Sequence, residues 1–241
     1  VSGEPGWRQG HVVALAPTGS SARIITVRVP GWPGHLPGQH LDVRLTAEDG
    51  YQAHRSYSIA SAGPGDEVEL GVDLIPDGEV SPYLVEVAEP GDALEVKGPL
   101  GRYFVWHDDD PSPVQLIAGG SGVVPLLAIA RAHAASGSTA PIRLLVSVRS
   151  PDDAMYRDEL ASLADGGLDL TWVYTRAAPP GWTAPVGRAD VAAFAASTWP
   201  ASAQPIVYIC GPNGFVETAA GAMVGLRHEP SRVRTERFGG R

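Results

Sequence analysis

Cysteine is nearly absent from this chain: Cys210 is the single one in 241 residues. One thiol excludes an intramolecular disulfide framework and a four-cysteine iron–sulfur site within these residues. Positive charge is also scarce, with 18 Lys and Arg against 27 Asp and Glu and a formal net charge of -9. That balance argues against a nucleic-acid partner, which needs basic surface to displace phosphate counterions. No apolar run has the length of a membrane span, and VSGEPGWRQG at 1–10 lacks a signal-peptide core. The expectation is a cytoplasmic protein with no membrane span. The acidic run Asp108–Asp110 ends in PSP and reads as a solvated loop, so no metal site is expected.

The residues present include 44% hydrophobic side chains, enough for a sizeable core in one or two domains. Glycine and proline, 29 and 22 residues, fall between periodic segments and so mark turns, not disorder. Up to about Trp106 the chain consists of short segments rich in β-branched residues: HVVALAPT, ARIITVRV, HLDVRL, HRSYSIAS, VELGVDLI and ALEVKGPL. Turn clusters separate them, which predicts an antiparallel barrel or sandwich, with SPYLVEVA as a short helix. After Pro113 the pattern changes. VQLIAGG, IRLLVSVRS, LDLTWVYTR and PIVYICGP are apolar strands separated by helix-like stretches such as VVPLLAIARAHAASG and DDAMYRDELASLA. This alternation predicts a parallel sheet covered by helices. The expected architecture is an antiparallel β-barrel domain over 1–110 and an α/β parallel-sheet nucleotide-binding domain over 111–241.

Several segments carry chemistry. LIAGGSGVVP, 116–125, leads a strand into a helix through glycines, where backbone can approach a ligand and a helix N-terminus offers free N–H groups. YICGPNGF, 208–215, repeats that geometry, and ligands of open α/β sheets sit at this edge. Each alone also reads as a tight strand–helix connection, and Cys210 alone as a small buried hydrophobe. Thr175-Arg176 ends the third strand and Gly187-Arg188 follows a loop later; two arginines there can clamp a 2′-phosphate or sit on ordinary surface. Arg149 ends the second strand and is the weaker candidate. In GEVSPYL, 78–84, Ser81 stands where it can cap a helix at an anion-receptive turn.

HRSYSIAS, 54–61, places a cation, a ring and a hydroxyl close together. Alternation along a strand can aim Arg55 and Tyr57 into one groove, with Ser58 exposed where the strand ends. A flavin needs such a phosphate cation, a stacking partner and a donor near N5. A surface strand with a core tyrosine is the plainer alternative.

Together these residues resemble the ferredoxin–NADP reductase superfamily. Its RxYS motif is matched by Arg55-Ser56-Tyr57-Ser58 and its GxxS motif by Gly78-Glu79-Val80-Ser81. The glycine-rich motif is Gly119-Gly120-Ser121-Gly122, and the CGP motif is Cys210-Gly211-Pro212, all in family order. The resemblance implies FAD, with FMN as the alternative, in the barrel and NADPH or NADH in the α/β domain. It implies that Arg55 binds flavin phosphate, Tyr57 stacks on the isoalloxazine and Ser58 lies near N5. Val72 and Leu74 would contact the flavin through backbone atoms, while Gly78, Val80 and Ser81 hold the pyrophosphate. Cys210 would sit beside the nicotinamide. Glu236 would act near N5, and Phe238 would cover the flavin ring as a movable aromatic, although the chain continues beyond it to Arg241. Thr175, Arg176 and Arg188 lean toward NADPH, although Asp190 stands where relatives place an adenine-stacking tyrosine.

The activity implied is a flavin-dependent NAD(P)H oxidoreductase. With no cluster in these residues, the expected acceptor is separate: a ferredoxin, an oxygenase component, free flavin or a quinone. The alternatives are a free-flavin reductase and a flavin-holding relay subunit without NAD(P)H activity.

Overall fold

The computed structural model describes residues 5–238; residues 1–4 and 239–241 lie outside the described residues. Six strands form the first sheet: β1 (Trp7–Thr18), β2 (Ala22–Arg28), β3 (His40–Thr46), β4 (Gln52–Ser58), β5 (Glu67–Asp73) and β6 (Ala93–Leu100). Their order is β4-β3-β6-β1-β2-β5, and each neighbouring pair is antiparallel. A bridge between Ile59 and Leu70 joins the two edge strands, so the sheet closes into a barrel and hides its edges. Alternate positions point inward. Ile25, Leu41, Ile59, Leu70, Leu94 and Val96 are buried in its interior, where each such side chain stabilises the fold by about 1.5–3 kcal/mol.

The second sheet is wholly parallel: β7 (Val114–Gly119), β8 (Ile142–Val148), β9 (Asp169–Tyr174), β10 (Ile206–Pro212) and β11 (Val233–Phe238), in the order β11-β10-β7-β8-β9. Helices α1 (Val123–Ser136), α2 (Arg157–Asp165), α3 (Val191–Ser197) and α4 (Asn213–Gly225) cover it. The expected glycine stop of α1 is Gly137, left-handed at φ 70°.

Three elements differ from the sequence expectation. The helix expected over 152–164 begins only at Arg157, because Ala154, Met155 and Tyr156 are buried and the Tyr156 N–H donates to Thr18 Oγ1 at 2.8 Å. Tertiary packing there overrides helix propensity. The segment after Ser81 is a π-type turn at Tyr83–Val87, and Ser81 does not cap it. Its hydroxyl instead accepts from the Ile75 N–H at 3.1 Å. The C-terminal segment, not assigned as a strand, becomes β11 and pairs with β10.

The two sheets are packed together. Ala22, Ala60, Phe104 and Trp106 from the first half share one core with Val124, Leu127, Met155 and Tyr208 from the second. Arg131 on α1 fastens the junction. It donates to Glu159 Oε1 at 2.6 Å and Oε2 at 2.7 Å, to Glu69 Oε1 of the barrel at 2.8 Å and to the Ala60 carbonyl at 2.8 Å. Removing the cation strands two carboxylates in a partly dry junction. We expect Arg131→Met to lower stability by roughly 1–3 kcal/mol, the partial water access placing it below a fully buried pair. Urea unfolding should show it, with partial recovery when Glu69→Gln and Glu159→Gln are added; no recovery would remove charge as the cause.

Candidate functional site

The glycine turn of β7 and the Cys-Gly-Pro turn of β10 lie on adjacent parallel strands, with Cys210 paired to Ala118. They meet closely. A β-carbon at Gly122 would run into the Cys210 carbonyl, and one at Gly119 would lie 2.6 Å from the Phe215 ring. Side chains are excluded here, leaving backbone at the mouth of α1. A cleft of about 250 Å³ opens beside it, lined by Gly119, Gly120, Ser121, Arg149, Thr175 and Pro212 on one side and by Ser20, Ser21 and Asp73 of the barrel on the other.

Thr175 and Arg176 continue from β9, and the Arg176 N–H donates to the Arg149 carbonyl at 2.9 Å. Both arginines therefore stand at the same sheet edge. Gly187 N–H donates to the Tyr174 carbonyl at 2.9 Å, which anchors the turn bearing exposed Arg188 to the end of β9. Asp190 caps α3, its carboxylate accepting from the Ala193 N–H at 2.8 Å.

Strand β11 brings in what sequence alone left loose. Its parallel register sets Glu236 opposite Cys210 and Phe238 opposite Pro212. Cys210 is fully buried, and burial first, then the neighbouring Glu236 charge, pushes its thiol well up. It is a packing group, not a thiolate, at neutral pH. Burial also raises the Glu236 carboxyl to about 7, and its Oε2 has no hydrogen-bond partner. The other oxygen faces His40 Nδ1 at 3.5 Å. His40 lies at the start of β3, and burial lowers its pKa. Both groups are thus driven toward their neutral forms, so the contact is a carboxylic acid beside an imidazole more than an ion pair.

His40 in turn pairs with Ser58 across β3 and β4. The junction therefore brings Ser58, His40, Glu236 and Cys210 into one chain of neighbours drawn from both sheets. His40 was missed from sequence, although it directly follows the glycine turn Pro37-Gly38-Gln39. Ser58 is buried at 5% exposure, which corrects the expectation of an exposed hydroxyl, because Ile59 continues inward to bridge Leu70.

The rest of the barrel motif lies along β4. Tyr57 is partly buried against the barrel core, and desolvation raises its phenol pKa. Ser56 donates to Asp42 Oδ1 at 2.5 Å. Arg55 is exposed and paired with Glu79, whose second carboxylate oxygen accepts from the Tyr51 phenol. Tyr51 and Glu79 were also missed; Glu79 lies inside the GxxS match, where Gly78, Val80 and Ser81 carried the expectation and Glu79 did not. Gly78 is close-packed, a β-carbon there falling 3.0 Å from both the Ile75 carbonyl and Ser81 Oγ. Val72 and Val80 are buried, and the Leu74 N–H donates to the Ser21 carbonyl at 2.9 Å.

These features fit a flavin and a nicotinamide nucleotide. The barrel offers a cation, an aromatic face and a close-packed glycine turn, the α/β edge offers two bare turns, and an unpartnered buried carboxyl oxygen lies at the junction. Among the described residues no His, Cys, Asp and Glu cluster suits a metal, and no helix is long and apolar enough to cross a membrane.

Glu236 also generates a pH signature. Its folded pKa lies above the ordinary 4.5, so its stabilising contribution is complete below pH 4.5 and is lost as pH rises to about 7. Between pH 5 and pH 8, Glu236→Gln should gain stability relative to the parent by on the order of 2 kcal/mol. Urea unfolding at both values checks this; a constant difference would place Glu236 in a wetter setting.

Residues 17–105 match the family of oxidoreductase FAD-binding domains and residues 116–221 that of oxidoreductase NAD-binding domains. The chain is 31% identical over 221 residues to the reductase component of propane 2-monooxygenase from Mycolicibacterium goodii, covering 88% of this chain and 62% of that protein. It is 28% identical over 234 residues to the ferredoxin–NAD(P)+ reductase component of the naphthalene 1,2-dioxygenase system of Pseudomonas putida, covering 95% and 68%. Against three propane 2-monooxygenase reductase components, the chain spans 54% to 62% of their length. In fold it follows the flavohem-like FAD/NAD-binding domain of nitric oxide dioxygenase from Vibrio cholerae, with a TM-score of 0.86, 24% identity, and coverage of 97% of this chain and 99% of that one. With a closed antiparallel barrel of the FAD-binding family joined to a parallel α/β sheet of the NAD-binding family, the chain belongs to the ferredoxin–NADP reductase superfamily.

Proposed function

We propose that this chain is a flavin-dependent NAD(P)H reductase that passes electrons to a separate protein acceptor, an oxygenase component or a ferredoxin. The observation that carries this is the His40–Glu236 contact at 3.5 Å, which joins the barrel motif to the Cys-Gly-Pro edge. The flavin-binding part is taken as residues 1–110 and the nicotinamide-binding part as 111–241, in a cytoplasmic protein. Relatives described as reductase components of oxygenase systems support the acceptor class.

The chemistry a bound FAD would supply is acceptance of an electron pair from the nicotinamide and release of single electrons to the acceptor. The chain's residues bind, orient and exclude water, and most of the rate arises from that positioning. Arg55, Gly78, Val80 and Ser81 would hold the flavin phosphates, Tyr57 the ring face, and backbone at Val72 and Leu74 its edge; Ser56 fixes β4 through Asp42. Gly119, Gly120, Gly122, Gly211 and Pro212 would accept the nicotinamide nucleotide against bare backbone. Thr175, Arg176 and Arg188 would favour NADPH through its 2′-phosphate. Cys210 packs as a neutral thiol beside the reaction plane. Glu236, close to half-protonated at neutral pH, can hold or yield a proton there, with Ser58 and His40 as its polar neighbours.

Anaerobic addition of NADPH to the purified, flavin-loaded chain should bleach the visible flavin bands at stoichiometric coenzyme. Bands that persist with both NADPH and NADH would instead indicate a relay subunit. Arg176→Asp should raise the Michaelis constant for NADPH far more than that for NADH; equal effects would take Arg176 out of the 2′-phosphate site.

A further inference from the structure

The loop that follows β5 carries an anion of its own toward the site's cation. Arg55 points outward from β4 with about half its side chain exposed, and its guanidinium donates to Glu79 Oε2. The other oxygen of the same carboxylate accepts from the Tyr51 phenol. Tyr51 precedes β4 and Glu79 sits one residue beyond Gly78, so two donors from separate positions, Arg55 and Tyr51, converge on the Glu79 carboxylate. The Ser81 hydroxyl is meanwhile occupied with the Ile75 backbone. In this arrangement the cation of the RxYS match already has its anion.

A carboxylate and a phosphate each present a pair of oxygens to the planar guanidinium, and one fork cannot serve both fully. Glu79 is tethered within reach, which gives it a high effective concentration against a ligand arriving from solution. Its carboxyl lies below the usual carboxylate range, held there first by the Tyr51 hydrogen bond and then by Arg55, so it stays charged across the neutral range. Resting on the flavin reading given above, we propose that Glu79 is an intramolecular counter-ion that competes with the flavin phosphate for Arg55. Flavin binding is then an exchange in which phosphate enters and the carboxylate swings off the guanidinium. The freed carboxylate remains on the same short loop and repels the phosphate that displaced it. The consequence is a flavin held loosely enough to be released and replaced.

Equilibrium titration by flavin fluorescence tests this, with FAD, FMN and phosphate-free riboflavin as probes and circular dichroism as the check on folding. Glu79→Gln should bind FAD and FMN tighter by roughly three- to tenfold, a modest factor because water screens exposed charges. Its affinity for riboflavin should stay that of the parent, since riboflavin presents no phosphate. Tyr51→Phe, which frees one carboxylate oxygen, should shift FAD affinity in the same direction by less. Unchanged or weaker FAD binding in Glu79→Gln would overturn the proposal, as would equal tightening of riboflavin. Failure of the parent and every variant to bind any of the three would sink the flavin reading itself.

Discussion

The site depends on the two sheets being fixed to each other, because neither alone contains it. That fixing is a matter of packing. Phe104 stands edge-on to Tyr208 at 5.4 Å, and the Tyr208 phenol donates to the Val105 carbonyl at 2.9 Å across the junction. Arg131 adds a fork of charged hydrogen bonds beside this apolar contact. Apolar burial supplies most of the adhesion, while directional bonds select one angle between the sheets. A small error in that angle would separate His40 from Glu236, since they reach each other from opposite sides at 3.5 Å.

Given that fixed junction, burial does the electrostatic tuning. Burial raises the pKa of Glu236 and, with the Glu236 charge, that of the adjacent thiol. The barrel's outer rim behaves in the opposite way. Arg55 and Glu79 are solvated and paired as ions, with the neutral Tyr51 phenol donating to the same carboxylate. The chain thus keeps two electrical regimes a few residues apart on one strand: neutral groups around Ser58, ionised ones around Arg55.

Much of this was legible in the residues. The period-two segments of the first half and the strand–helix alternation of the second predicted the barrel and the parallel sheet, and glycine at 137 marked the end of α1. Gly119, Gly122 and Cys210 fell together at one sheet edge as their turns suggested. What escaped depended on contacts distant in sequence. VRTERF has too many charges to read as a buried-sheet strand, and becomes β11 only because β10 presents an open edge. Glu79 was visible but unweighed, since no local pattern reveals a partner 24 residues away. The late start of α2 follows from the burial of Met155 and Tyr156 against the barrel, which helix periodicity cannot express.

Phe238 lies at the end of a paired strand, opposite Pro212. Backbone held in a ladder does not swing as a loop does. A ring at that position moves by turning about its own side-chain bonds, and such rotations take picoseconds to nanoseconds where exposed, against microseconds to milliseconds for collective domain motions. Turning of that ring therefore asks for no rearrangement of the sheet. What limits that turning is the packing of a partly buried ring against the core of the second half.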